Sequence, residues 1–127
     1  MNYYNPRLVV IDQGPNIAVE NKRLEGVARL KELYIQYRDL ANKYDCDIIS
    51  LGQASVNAEN KKLLTGSNMD ASKTDIPGQC DWIVGIGKLE DRGYEEVRWL
   101  NIIKNKLTGK YGSGQVLLRK ATCRFED

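Results

Sequence analysis

The sequence Leu8-Val9-Val10-Ile11-Asp12 decides the fold, because four apolar residues run directly into a carboxylate. Such an uninterrupted apolar run is typical of a buried strand in a parallel sheet. A second run, Asp47-Ile48-Ile49-Ser50-Leu51-Gly52, follows later in the chain. The segment between the two runs has helical periodicity, and a strand, helix, strand succession predicts a right-handed parallel crossover.

The predicted helix extends from about Lys22 to Tyr44, after a loop rich in turn-forming residues. Its apolar residues recur in steps of three and four, which predicts one stripe that packs against a sheet. The stripe consists of Val27, Leu30, Tyr34, Tyr37, Ala41 and Tyr44.

The second half of the chain begins with a polar stretch, residues 53–74, which predicts a loop of a length that is usually functional in a small domain. A third strand is predicted over residues 81–86. Two longer strands, near residues 95–104 and 115–120, are joined by glycine-containing sequence that predicts a hairpin. Residues 123–125 are a candidate edge strand. The sequence therefore predicts one α/β domain over residues 1–127.

The composition excludes several classes of protein. The 127 residues include no histidine, which excludes Ser-His-Asp and Cys-His catalysis. The three cysteines form no C-x-x-C pair, so we expect them to be reduced and packed. No apolar run has the length of a membrane helix or a secretory signal. We expect a cytoplasmic protein that does not contact a membrane.

Two polar residues follow the predicted parallel strands, at the sheet edge where open α/β sheets bind ligands. Asp12 has the form of a Walker B carboxylate, which holds the Mg²⁺ of a nucleotide, although a parallel strand can also end in Asp without binding anything. Gln53 carries an amide that can orient a water or contact a γ-phosphate without titrating. The alternative for Gln53 is a glutamine that simply begins a loop.

A pair of lysines ends the predicted strand Ile102-Ile103-Lys104-Asn105-Lys106. Residues i and i+2 of a strand point to the same side, so two ammonium groups would lie together and favour an anion such as phosphate. Solvated lysines are the usual alternative. The net charge is only +2, but residues 98–124 contain seven basic residues and no acidic residue.

These elements, in this order, resemble the C-terminal half of the RecA-like motor domain of ring-shaped, DnaB-type replicative DNA helicases, most closely the bacteriophage members. LVVID resembles their Walker B strand, and IISLGQAS resembles the strand that ends in a γ-phosphate sensor. DWIVGIGK with its preceding loop resembles the next strand and the DNA-facing loop. WLNIIKNKLTGKYG resembles the strand and turn that reach the neighbouring subunit's nucleotide.

The resemblance covers residues 7–125 and implies a fold class. That class is the C-terminal part of a RecA-like P-loop NTPase core, with a mostly parallel sheet flanked by helices and a C-terminal β-hairpin.

The resemblance also implies cofactors and roles for individual residues. With ATP and Mg²⁺ bound, Asp12 would hold the metal through water and Gln53 would sense the γ-phosphate. Lys104 and Lys106 would act in trans at the neighbouring γ-phosphate, although many family members carry arginine at the second position and a lysine lacks the planar fork. Single-stranded DNA would contact Lys61, Lys62, Ser72, Lys73 and Thr74 of the central-channel loop.

The chain contains no P-loop motif G-x-x-x-x-G-K-[ST], so we expect a partial RecA-like domain that lacks the Walker A half and is inactive alone. The full-length protein would be an ATP-dependent replicative helicase that moves along single-stranded DNA as a hexameric ring. Two alternatives stay open. One is a RecA-type recombinase or recombination mediator, and the other is a non-catalytic RecA-like module for DNA binding or assembly.

Overall fold

The two apolar runs pair with each other in the computed structural model, which describes residues 4–69 and 75–127. Strand β1 (Leu8–Ile11) lies parallel to β2 (Asp47–Ser50), with Leu8 opposite Asp47 and Ile11 opposite Ser50. Helix α1 (Gly26–Tyr44) connects them. The predicted parallel pairing is confirmed, and these elements belong to a compact unit, Met1–Gln53.

Helix α1 begins four residues later than the sequence predicts. Gly26 has a φ of +54°, which lies in the left-handed region, so regular helix does not extend back past this residue. The buried residues of α1 are Leu30, Leu33 and Tyr37, whereas Val27 and Tyr44 at the ends of the predicted stripe are exposed. The contact face is therefore shorter than the predicted stripe.

The second compact unit, Ala54–Asp127, is built on a four-stranded antiparallel sheet in the order β3-β4-β5-β6. Its strands are β3 (Trp82–Gly87), β4 (Val97–Asn105), β5 (Ser113–Arg119) and β6 (Arg124–Glu126), and a short helix, α2 (Asp75–Gln79), precedes β3. The predicted hairpin is confirmed as β4 and β5, and the candidate edge strand as β6.

The predicted mostly parallel RecA-like sheet flanked by helices is wrong. The described residues form one two-stranded parallel sheet and one four-stranded antiparallel sheet, with two α-helices. The connection from β3 to β4 is residues 88–96, which is shorter than the dozen or more residues that a parallel crossover needs. Strand β4 therefore turns back beside β3 and pairs with it in the antiparallel direction.

Residues 54–69 of the predicted loop are attached to the antiparallel sheet. The Asn101 side chain of β4 accepts a hydrogen bond from Leu64 N at 3.0 Å and donates one to Leu64 O at 2.8 Å. Lys88 N donates to Lys61 O at 3.0 Å, which adds a bridge beside β3. Leu64 is buried in the core of this unit together with Ile76, Val97 and Trp99.

Candidate functional site

Asp12 and Gln53 lie at the same edge of the parallel pair, the carboxyl edge. Asp12 directly follows β1, and Gln53 follows β2 by three residues. The pairing continues past both strand ends, because Leu51 N donates to Ile11 O at 2.9 Å and Gly14 N donates to Leu51 O at 3.0 Å. Both side chains are exposed, so a ligand could reach them from solvent.

The turn after Asp12 is fixed by side chains from α1. The Tyr37 hydroxyl donates to Gly14 O at 2.8 Å, and the Arg29 guanidinium donates to Pro15 O at 2.6 Å and Ile17 O at 3.0 Å. Burial, and next the neighbouring Tyr34, raise the pKa of Tyr37, so the donating hydroxyl stays protonated at neutral pH. Asp12 therefore precedes a turn with little freedom to move.

Gly14 itself is required by close packing against β2. A Cβ at this position would lie 2.0 Å from Ser50 Oγ and 3.4 Å from the Tyr37 hydroxyl. Only glycine fits without displacing one of these side chains.

Lys104 and Lys106 are brought together at the end of α2. The Lys104 ammonium donates to Pro77 O, and the Lys106 ammonium donates to Gly78 O at 3.4 Å. Burial, and next the ammonium of Lys106, lower the pKa of Lys104. The predicted cationic pair therefore exists. It belongs to the second compact unit, whereas Asp12 and Gln53 belong to the first.

Of the five residues predicted to contact DNA, the structure describes only Lys61 and Lys62. Ser72, Lys73 and Thr74 lie outside the described residues. Lys61 is exposed, and its backbone forms the bridge to Lys88. The Lys62 ammonium lies 5.3 Å from the centre of the Trp99 ring and 6.0 Å from that of Tyr94, which is cation–π geometry. The charge of Lys62 is thus directed at two aromatic rings.

Sequence reasoning missed the part played by Asn105 in the β4–β5 turn. Its side chain accepts hydrogen bonds from Leu107 N at 3.0 Å and Thr108 N at 3.1 Å, and it donates to Thr108 Oγ1 at 2.7 Å and Lys110 O at 3.0 Å. The available signal was an asparagine that begins a turn containing Gly109, since asparagine side chains bond to backbone two residues ahead.

The basic stretch 98–124 is not uniformly available to an anion. The Arg119 guanidinium pairs with Glu126 at 2.9 Å and with Glu96 at 3.2 Å. These contacts raise the pKa of Arg119, with the Glu126 hydrogen bond as the largest cause. The charge of this residue is therefore balanced by carboxylates outside the stretch.

Asp12 fits a magnesium ion that is carried in with phosphates. Mg²⁺ is commonly bound through one or two carboxylates together with water and substrate phosphates, so a single exposed carboxylate at a strand end is a sufficient protein contribution. Within residues 4–69 and 75–127 there is no group of three His, Cys, Asp or Glu side chains that could hold a metal without such a ligand.

The described helices include none with the length and apolar character to cross a membrane.

Comparison with known proteins finds similarity in the fold. No family model matches the chain, and no curated protein matches it. A solved structure described as that of a DnaB-like replicative helicase and its interactions with primase is similar over 93% of this chain, with a TM-score of 0.76 and 14% sequence identity. This chain spans 29% of the length of that helicase chain. The fold is therefore similar to that of one part of a DnaB-like helicase, as the resemblance predicted.

Proposed function

We propose that this chain is a helicase-related module that takes part in ATP hydrolysis on single-stranded DNA. The observation that carries the proposal is the similarity to a DnaB-like replicative helicase over 93% of the chain, with Asp12 and Gln53 at one edge of the parallel pair. The module acts within a ring of copies in the cytoplasm. Its cofactors are ATP and Mg²⁺.

The edge formed by Asp12 and Gln53 contacts the metal and the γ-phosphate. An exposed carboxylate can hold a Mg²⁺ ion through water, and an uncharged amide can orient the attacking water without changing protonation state. The turn at Gly14, held by Tyr37 and Arg29, keeps Asp12 in one place before the nucleotide arrives. Preorganisation of this kind lowers the cost of assembling the site.

The lysine pair acts on the nucleotide of a second copy. Two ammonium groups this close repel each other, which is the second cause of the lowered pKa of Lys104, and an anion between them would relieve that repulsion. Charge that develops on the γ-phosphate in the transition state is such an anion. Lys61, with the predicted Ser72, Lys73 and Thr74, contacts DNA phosphates, and Lys62 contributes to holding the loop on the sheet.

The test is Asp12→Ala in the native protein, with Asp39→Ala as the matched control because Asp39 is an exposed aspartate on α1. Loss of metal positioning should remove about 3 kcal/mol of transition-state stabilisation, so DNA-stimulated ATP hydrolysis should fall on the order of a hundredfold. Binding of single-stranded DNA should not change. Equal hydrolysis by the two variants would contradict the proposal.

This 127-residue chain tested alone gives a second measurement. Without a P-loop to cradle the phosphates, we expect no ATP turnover and no tight ATP binding. Robust turnover that Asp12→Ala abolishes would show that the chain is a complete ATPase. Electron micrographs of the native protein on DNA separate a ring-shaped helicase from a filament-forming recombinase.

A further inference from the structure

The end of α2 presents carbonyl oxygens that the helix itself does not satisfy. In a longer helix, Pro77 O and Gly78 O would accept hydrogen bonds from amides four residues ahead, but the chain enters β3 at Trp82. The ammonium groups of Lys104 and Lys106 donate to these two oxygens instead. The lysine pair therefore caps the C-terminal end of α2.

The two lysines differ in how they contact α2. Lys104 is half-buried, and its ammonium donates to Pro77 O within the contact between β4 and α2. Lys106 is exposed, and its ammonium lies 3.4 Å from Gly78 O, which is long for a hydrogen bond. Lys106 is therefore accessible to an anion from solvent, whereas Lys104 is bound to α2.

Helix α2 depends on contacts with the rest of its unit. It has only five residues, and isolated helices this short are not stable in water. Ile76 anchors one part of α2, because its side chain is 3% exposed in the core of the unit. The hydrogen bond from Lys104 to Pro77 O attaches the following turn to β4. This bond therefore determines where Gly78 O lies.

We propose that Lys104 is a positioning residue for Lys106. Lys104 holds the end of α2 against β4, and Gly78 O at that end orients the Lys106 ammonium before an anion arrives. A lysine side chain has high rotamer entropy, so ordering it in advance lowers the entropic cost of the later contact. An ammonium has three donors, so Lys106 can bind a phosphate oxygen while it still donates to Gly78 O.

This inference rests on the proposed function, in which Lys106 contacts the γ-phosphate of a neighbouring copy. It assigns different tasks to the two lysines. Lys104 acts through α2, and Lys106 touches the phosphate.

The first experiment measures amide hydrogen exchange at Cys80 by NMR on the 127-residue chain, because Cys80 N donates to Ile76 O at 3.3 Å across α2. Lys104→Met keeps an unbranched side chain but has no donor, so exchange at Cys80 should become faster by roughly tenfold. Lys110→Met is the matched control, since Lys110 is an exposed lysine of the same hairpin. Equal exchange in the two variants would overturn the proposal.

A conservative variant separates the lost donor from general damage to the fold. Lys104→Arg should retain the wild-type exchange at Cys80, because a guanidinium can donate to a carbonyl as Arg29 does to Pro15 O. Exchange in Lys104→Arg as fast as in Lys104→Met would show that the hydrogen bond to Pro77 O does not hold α2.

The second experiment measures DNA-stimulated ATP hydrolysis by the native protein. Lys104→Met should lower kcat on the order of tenfold and leave KM for ATP nearly unchanged, and Lys104→Arg should restore most of kcat. In a Lys106→Met background, Lys104→Met should cause little further loss, because its effect passes through Lys106. If the two losses add in full, Lys104 acts independently of Lys106 and the proposal is wrong.

The two experiments distinguish this proposal from the proposed function. Exchange at Cys80 is measured without nucleotide, so it does not depend on ATP hydrolysis. If Asp12→Ala leaves hydrolysis unchanged, the proposed function fails whatever the exchange data show. If Asp12→Ala abolishes hydrolysis but Lys104→Met speeds exchange without lowering kcat, Lys104 is only structural and the positioning role is wrong.

Discussion

Tyr37 links the helix to the candidate site through a single hydroxyl. Its hydrogen bond to Gly14 O holds the turn that follows Asp12, and its burial prevents water from replacing it easily. Gly14 O also accepts a hydrogen bond from Ile17 N at 3.1 Å, so removal of the hydroxyl would take away one of the two donors to this carbonyl. The effect of this residue on Asp12 is indirect, so Tyr37 is a positioning residue.

We predict that Tyr37→Phe lowers the free energy of unfolding by about 1 kcal/mol, measured by urea denaturation. Tyr44→Phe is the control, because Tyr44 lies on the same helix and is exposed. The raised pKa of Tyr37 adds a pH dependence. The unfolded chain ionises at the ordinary tyrosine pKa of about 10, whereas the folded chain ionises at a higher pH. The contribution of Tyr37 to the free energy of unfolding is therefore fully present below pH of about 10 and is lost as the pH rises through the folded-state pKa. A variant indistinguishable from Tyr44→Phe at neutral pH would contradict this role.

At the scale of elements, the strands and α1 were predictable, but the antiparallel pairing of β3 with β4 was not. Apolar runs and helical periodicity are local signals, whereas strand direction depends on the length of the connection and on what covers the sheet. The connection between β3 and β4, residues 88–96, is too short for a parallel crossover, whereas the resemblance to the helicase motor domain implies a parallel sheet. The cation–π contact of Lys62 was not predictable, because its partners Tyr94 and Trp99 are distant in sequence.

The contact between the loop and β3 gives a prediction at this scale. A Cβ on Gly87 would lie 1.9 Å from Lys62 O and 2.5 Å from Lys61 O, so Gly87→Ala must push the loop backbone away from the strand. We expect a loss of about 1 to 3 kcal/mol in the free energy of unfolding, with faster amide exchange at Lys88. Gly114→Ala in β5 is the control, because nothing lies within 4 Å of its Cβ position. Equal stability of the two variants would show that the loop does not depend on this contact.

At the scale of the whole molecule, each sheet leaves apolar side chains exposed. In the parallel pair these are Leu8, Val10, Ile49 and Leu51, each about half exposed, and in β3 they are Trp82, Val84 and Ile86. Parallel strands are normally covered on both faces. An uncovered apolar face is an association hazard, so we expect the chain tested alone to self-associate or to be marginally stable.

We predict that Val10→Thr weakens self-association of the chain, measured by sedimentation velocity across a concentration series. Val10 lies on β1 and pairs with Ile49, so its side chain contributes to the exposed face of the parallel pair. Val56→Thr is the matched control, because Val56 is 77% exposed and lies outside both sheets. A wild-type chain that stays monomeric with a high, cooperative melting transition would contradict the prediction.

The most direct test of the proposed function is subunit mixing in the native protein. Asp12→Ala and Lys106→Ala proteins should each have low DNA-stimulated ATPase activity, and Lys106→Ala should act on kcat while leaving nucleotide affinity nearly unchanged. In mixed rings, some interfaces combine an intact Asp12 with an intact lysine pair from the neighbouring copy, so mixing should restore partial hydrolysis. If subunits exchange and mixing restores nothing, Lys106 does not complete a neighbour's site and the proposed mechanism is wrong.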